Sequence, residues 1–261
     1  MDTDILSSRQ GTAQSSGQPH RLIQEHASRL GRVFIFLALL LSMIGGMASN
    51  DGRGWQAALA SPQAQTDLVG PPGSGKFGTT VTVLTNGNLV ITDPRYSGGG
   101  NVWIGAVYLY DGETGEQISM LTGSTLEDQI SSGGVIALTN GNFVIYSPLW
   151  DYNATQVGAV TWCSGTTGCS GVVSLSNSLV GSSFVETSVS AVVTTLANGN
   201  YVVSCSFCDM GGVADVGAVT WGDGTSGVAG SITAANSLVG STAGDTLGRM
   251  GVAALRNGSY T

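Results

Sequence analysis

Basic side chains and imidazoles are almost missing from most of this 261-residue chain. Both histidines, His20 and His26, and five of the nine Lys and Arg residues lie in the first sixty positions. Beyond them stand only Lys76, Arg95, Arg249 and Arg256, against thirteen Asp and Glu, a net charge of −9. Without histidine there is no Ser-His-Asp or Cys-His catalysis and no histidine zinc site after residue 60. Without clustered Lys and Arg there is no footprint for nucleic acid, whose phosphates need neutralising cations. Charged residues make up 10% of the chain, far below the usual quarter, yet 42% are hydrophobic. Disorder requires low hydrophobicity together with high net charge, so the chain has the means to build a core.

Long apolar runs are also scarce. The one present, Val33–Ala48, has 16 residues and no charge. A membrane-spanning helix needs about 20. Arg9, Arg21, Arg29 and Arg32 precede the run, and small residues follow it at Gly46-Met47-Ala48 and at Ala58-Leu59-Ala60. Basic, then apolar, then small is the order of an export signal. Residues 1–60 are therefore expected to be a polar segment with an apolar helix that acts as signal peptide or signal anchor, cleavage being favoured. The address is export: extracellular, cell-surface or periplasmic. Membrane contact is expected only through this segment.

Glycine is what the chain has in excess, with 40 residues against a usual share of roughly 7%. Its placement follows a repeat. Asn-Gly-Asn stands at 86–88, 140–142 and 198–200, with Asn257-Gly258-Ser259 as a fourth near-copy. Gly-Ala-Val stands at 105–107, 158–160 and 217–219, and Leu-x-Gly begins a linker at Leu68, Leu121, Leu179 and Leu238. Order and spacing are kept, which sets units at about 68–120, 121–178, 179–237 and a partial 238–261.

One unit reads as four short strands: Phe77–Leu84, Leu89–Thr92, Gly105–Tyr110 and Gln117–Leu121, rich in β-branched and aromatic residues. Asn86-Gly87 predicts a two-residue type I′ hairpin turn. The loops at 93–97, 147–151 and 205–209 align, and their Pro and aromatic residues are expected to seal each unit against the next one. No helical period appears after residue 60. The fold class is all-β. Four strands per unit suit a β-propeller blade, giving a propeller-like arc of three units and the first hairpin of a fourth. Closed rings have four to eight blades, so the arc is expected to be incomplete, and its open blade edge to allow self-association.

The residues Phe77-Gly78, Val81, Asn86-Gly87-Asn88, Pro94 and Gly105–Tyr110 resemble the FG-GAP repeat of integrin-α-like propellers. More narrowly, Asn198–Val203 (NGNYVV), Gly217–Trp221 (GAVTW) and Asn236–Ser241 (NSLVGS) are similar to an uncharacterised secreted bacterial repeat family. The resemblance covers about residues 64–261 and implies a propeller in an extracellular setting, without naming an activity. Many FG-GAP blades carry an Asp-rich calcium loop. Here the corresponding loops, 85–88, 139–142 and 197–200, hold no carboxylate, so calcium sites are not expected.

Several segments carry the outline of a local chemistry. Gly70-Pro71-Pro72-Gly73-Ser74-Gly75-Lys76 satisfies the phosphate-loop spacing, but Phe77 replaces the required Ser or Thr and a strand pattern replaces the helix. It aligns with the linker Leu238–Gly248, so nucleotide binding is not expected. Cys163 and Cys169 flank a turn, and Cys205 and Cys208 form a C-x-x-C. In an exported all-β chain these four are disulfide candidates, with a four-cysteine zinc site as the alternative. Asp128, Glu186 and Asp245 each follow a linker glycine by five residues, and Asp151 and Asp209 follow the aligned loops. Such recurrence suits a turn hydrogen bond or a weak cation site on a rim. No catalytic residue, metal or cofactor is assigned. The functional expectation is a non-catalytic binding, adhesion or structural module whose partner is an extracellular protein or a glycan. The alternatives are a propeller-type carbohydrate-active enzyme using carboxylates and a piece of a larger surface protein.

Overall fold

The computed structural model describes residues 65–153, 155–181 and 191–261. The export segment at 1–60, with its apolar run 33–48, and Glu186 lie outside the described residues. Within them the chain is all-β, and no helix long and apolar enough to cross a membrane occurs there.

The first unit forms β1 (Val81–Val83), β2 (Leu89–Asp93), β3 (Ala106–Tyr110) and β4 (Gln117–Thr122), paired antiparallel in that order. The second forms β5 (Val135–Ala137), β6 (Phe143–Ser147), the small hairpin β7 (Asp151–Tyr152) and β8 (Thr155–Gln156), then β9 (Ala159–Cys163), β10 (Gly171–Val172) and β11 (Ser178–Val180). The third forms β12 (Ala191–Thr195), β13 (Tyr201–Cys205), β14 (Ala218–Gly222), β15 (Gly230–Ser231) and β16 (Ser237–Val239). In each unit four strands make an antiparallel meander, and β6, β13 and β3 are buried along all or nearly all their length.

Burial on both faces explains the near-continuous apolar strands AVYLY, FVIYS and YVVSC, because successive side chains point to opposite sides of a sheet. The sheets stack face to face in chain order. Val90, Val107, Leu109 and Leu121 of the first sheet share one core with Phe143, Ile145, Ala159 and Cys163 of the second. Val144, Val160 and Leu179, on the opposite face of the second, share the next with Tyr201, Val203 and Ala218 of the third. The far face of the third sheet, with Leu196, Val202 and Val219, is partly covered by Val252 and Tyr260.

Three features differ from the sequence expectation. The first strand is shorter than Phe77–Leu84. Gly78 has φ 80° and Thr79 N–H turns back to the Lys76 carbonyl at 3.1 Å, so extended backbone begins only at Val81. The hairpin turn is not type I′, which needs positive φ at both central residues. Only Gly87 is left-handed, at φ 89°. Gly87 N–H bonds the Leu84 carbonyl at 3.0 Å and Leu84 N–H bonds the Asn88 carbonyl at 2.8 Å. This is a three-residue loop, a type I turn closed by a left-handed glycine. It recurs at Leu138–Asn142, Leu196–Asn200 and Leu255–Ser259 with the same two bonds.

The third difference is an extra strand. Between their third and fourth meander strands, the second and third units make the two-residue strands β10 and β15. Each pairs in parallel with the sheet of the preceding unit: β10 with β4, through Gly171↔Leu121 and Val172↔Thr122, and β15 with β11, through Leu179↔Gly230 and Val180↔Ser231. The first two sheets therefore have five strands and the third has four. The described sheets do not close into a barrel.

Candidate functional site

The recurrent polar residues converge on the seams between units. At one end of the stack, the Asn-Gly-Asn turns of the first and second units each meet the turn after the third strand of the following unit. Asn86 Nδ2 and Asn88 Nδ2 both donate to the Gly165 carbonyl at 2.9 Å. One unit on, Asn140 Nδ2 and Asn142 Nδ2 donate to the Gly224 carbonyl at 2.7 and 2.8 Å. The accepting turns are held from their own unit as well: Gly165 N–H donates to Asn142 Oδ1 at 3.0 Å, and Gly224 N–H to Asn200 Oδ1 at 2.9 Å. The row ends with Asn198 Nδ2 on the Gly258 carbonyl at 3.2 Å. Gly165 and Gly224 are demanded by packing within their own units, since a Cβ on either would collide with the carbonyl of Gly141 or Gly199.

Trp162 belongs to the same seam. Its indole N–H donates to the Gly224 carbonyl at 2.9 Å, and a Cβ on Gly227 would fall 2.7 Å from the Trp162 Cβ. A groove of ≈ 340 Å³ opens beside it between the second and third units, lined by Trp162, Cys169, Asn177, Ser226 and Val228 among others. Trp150 is buried, and it packs into the core shared with the first sheet. The aligned loop of the second unit therefore seals against the preceding unit, not the following one as its sequence suggested. The reason is direction: Trp150 lies in the loop that leaves β6, and the face of that sheet carrying Phe143 and Ile145 looks back toward the first unit.

That loop is locked in three different ways. In the first unit, the buried Asp93 carboxylate accepts Gly75 N–H at 3.1 Å, Lys76 N–H at 2.7 Å and Arg95 N–H at 3.2 Å. The backbone amides of the phosphate-loop-like segment thus already hold an anion of the protein's own. In the second unit Ser147 Oγ accepts Ser131 N–H at 3.1 Å. In the third, Cys205 is bonded to Cys208. Cys163 is bonded to Cys169 across the turn after β9. The two pairs are local, and among the described residues no group of three or more His, Cys, Asp or Glu side chains is placed to hold a metal ion.

The recurrent acids act as acceptors. Asp128, fully buried, takes Ser124 N–H and Thr125 N–H at 2.7 Å on Oδ2, and Thr125 Oγ1 at 2.6 Å and Asp151 N–H at 3.1 Å on Oδ1. Asp245 repeats the pattern with Ser241 and Thr242 N–H, both at 2.8 Å. Asp209 Oδ1 accepts Asp215 N–H at 2.8 Å. Asp151 is the exception. Its Oδ1 is buried without a hydrogen-bond partner, and burial, with the neighbouring Asp128 charge, raises its pKa above the ordinary value. Tyr201, fully buried, is pushed up to about 12, chiefly by desolvation.

Asp93 and the two parallel strands are not apparent from the repeat markers. A length difference was their signal: six residues separate Gly115 from Leu121, but eleven separate Gly168 from Leu179 and Gly227 from Leu238. The additional five hold β10 and β15.

An all-β stack of similar units, joined by one recurring asparagine-to-turn bond, defines a tandem-repeat protein. Residues 83–132, 137–189 and 195–249 each match the family described as a repeat of unknown function (DUF5650), and the chain belongs to that family. No curated protein matches the chain.

Proposed function

We propose that the chain is an exported, non-catalytic repeat module, secreted or displayed at a cell surface, which serves binding, adhesion or a structural role. We read the stacked units as an arc of FG-GAP-like propeller blades. The observation that carries this reading is the seam: the recurring Asn, Asp and Trp162 groups are turned inward, onto backbone atoms of their own or an adjoining unit. Residues repeated for catalysis or cation binding would face a shared opening instead. Two local disulfides support an oxidising compartment, since cytosolic thiols are kept reduced.

The surface best suited to a partner is on the rim of the first unit. Val102, Trp103 and Leu126 are exposed there, and Arg95 lies 4.8 Å above the Trp103 ring. The Val102 and Trp103 carbonyls accept the Glu127 and Gln129 amides, which sets the two loops side by side. An aromatic ring with a cation and neighbouring apolar groups suits an extracellular protein or a glycan. The competing reading, a carboxylate-using carbohydrate-active enzyme, draws on the adjacent Asp128 and Asp151. Against it stands the full set of hydrogen bonds that Asp128 already accepts.

Fractionation of bacteria that express the full chain, with thiols counted in each fraction, tests the proposal. Export with all four cysteines oxidised is expected. A folded, reduced chain retained in the cytosol would overturn it.

A further inference from the structure

The two ends of the stack are built differently. The outward face of the first sheet is closed by aromatic rings. Phe77 meets Tyr108 and Tyr110 edge-on at 5.4 and 6.2 Å, and Tyr96 meets Tyr108 at 6.5 Å. At the corresponding positions the second and third units carry Thr161 and Thr220, small residues bonded to Ser178 and Ser237 at 2.7 and 2.6 Å. Small groups suit a face on which another sheet lies. The first unit also lacks the five residues that form β10 and β15 in its successors, so it has no strand to lend to a preceding sheet.

The opposite end is an internal surface that Val252 and Tyr260 cover only in part, leaving Leu238 and Trp221 exposed. Leu121, Leu179 and Leu238 share one register position, opposite Val107, Val160 and Val219. The first two are 1% exposed and Leu238 is 63% exposed. The difference lies in the neighbouring strand: β10 covers β4 and β15 covers β11, while β16 stands at the edge of its sheet. Trp221 occupies the place of Trp162 and is 43% exposed. Trp162 instead packs under Gly227 and bonds the Gly224 carbonyl.

The geometry points to β16, Leu238 and Trp221 as the acceptor surface for one more repeat unit of the second- or third-unit type. That unit lends a two-residue parallel strand to β16 and sets its glycine turn on Trp221. The two seams inside the chain supply the pattern for every contact. A whole second copy of this chain does not fit the role. Its first unit lacks the reaching strand, and its β10 and β15 are engaged on their own sheets. The inference rests on seam geometry alone and is independent of export or of any ligand.

The test extends the full chain after Thr261 by a copy of residues 203–240, which continues the turn at Asn257–Thr261 as Asn198–Val202 continues into β13. Hydrogen exchange of the Val239 amide, which stands at the position where Thr122 and Val180 face β10 and β15, is compared with the parent chain. Protection is expected to rise by roughly tenfold or more. The rise is expected to be lost in a second extension that omits the copy of residues 228–232, the counterpart of the missing five. Amides of β6 and β9 report that the rest of the chain is folded in every variant. Unchanged exchange at β16, or equal protection from the shortened extension, overturns the proposal. So does a parent chain that is already dimeric with β16 protected, because the occupant would then be a second copy.

Discussion

Asn140 Nδ2 lies 2.7 Å from the carbonyl oxygen of Gly224, a residue 84 positions further along the chain. Asn142 and Trp162 donate to the same oxygen, so one turn of the third unit is gripped by three donors of the second. Asn140→Ala removes one of the three, together with the Asn142 N–H bond to Asn140 Oδ1 inside the turn. A typical hydrogen bond of this kind contributes about 1 kcal/mol net. The urea midpoint is expected to fall accordingly with the slope unchanged, since the folded and unfolded surfaces stay the same. Asn140→Asp is expected to cost more, because a carboxylate faces a carbonyl with no proton between them. Equal midpoints for all three chains would remove the seam bond from the account.

Gly224→Ala tests steric fit at the same point. The added Cβ would lie 1.8 Å from the Gly199 carbonyl, and backbone there has little room to retreat. Overpacking of this kind costs about 1–3 kcal/mol. Gly134→Ala is the control, since its Cβ would meet nothing within 4 Å. That glycine has φ 96°, so the control isolates backbone strain from collision. Thermal unfolding of the two variants is expected to place Gly224→Ala lower.

Leucines of identical sequence context are expected to respond differently to truncation. Leu179→Ala opens a cavity in a closed core and is expected to cost about 2–5 kcal/mol. Leu238→Ala, at the partly covered end, is expected to stay within about 0.5 kcal/mol of the parent. Chemical denaturation of both variants checks this, and comparable losses would show that Leu238 is covered in solution.

Reduction is expected to weaken the second and third units. Each disulfide closes a short loop, with sequence separations of 6 and 3. Loop-entropy reasoning gives the longer one about 2 kcal/mol. A paired Cys163→Ala and Cys169→Ala variant is therefore expected to unfold at a lower temperature than the oxidised chain and to lose most of its sensitivity to reductant at that site. Calorimetry with and without a thiol reductant makes the comparison.

Two kinds of aspartate set opposite trends with pH. Asp151 has its pKa raised, first by desolvation and then by Asp128. The folded state therefore binds this proton more tightly than the unfolded one, and the group opposes folding once ionised. Asp151→Asn is expected to stabilise the chain at neutral pH, with the gain fading as pH falls through the carboxylate range. Asp223 has its pKa lowered, first by the Thr225 hydroxyl and then by the Thr225 amide. Its contribution is present above the unfolded carboxylate range and is lost as pH falls through its folded value. Asp223→Ala is expected to flatten the acid limb. Urea midpoints between about pH 3 and 7 separate the two trends.

Much of the architecture is legible along the chain, and the parts that are not share a physical cause. The near-continuous apolar runs in LVITD, FVIYS and YVVSC mark central strands because burial on both faces leaves no polar side. Asn-Gly marks each turn, but its subtype depends on φ at the asparagine, which Asn-Gly leaves open. The aligned loops carry their aromatics in plain view, yet which neighbour Trp150 meets depends on the direction in which its sheet faces. Asp93, Ser147 and Cys205 occupy one place through three unrelated chemistries, so residue identity conceals their equivalence. The asparagine seam was visible as a repeat and obscure as a contact, because its partners lie 77 to 84 residues apart.

The parallel strands β10 and β15 also bear on how such a protein changes over generations. Each joint is specified from both sides by residues inside a single repeat: donors that face forward, and a strand with a glycine turn that reaches backward. Duplicating or deleting one whole middle repeat therefore recreates a valid joint at the new junction, with no compensating substitution elsewhere. Array length is thus expected to change in steps of a full unit. An insertion of half a unit would leave a donor without its turn and is expected to be eliminated.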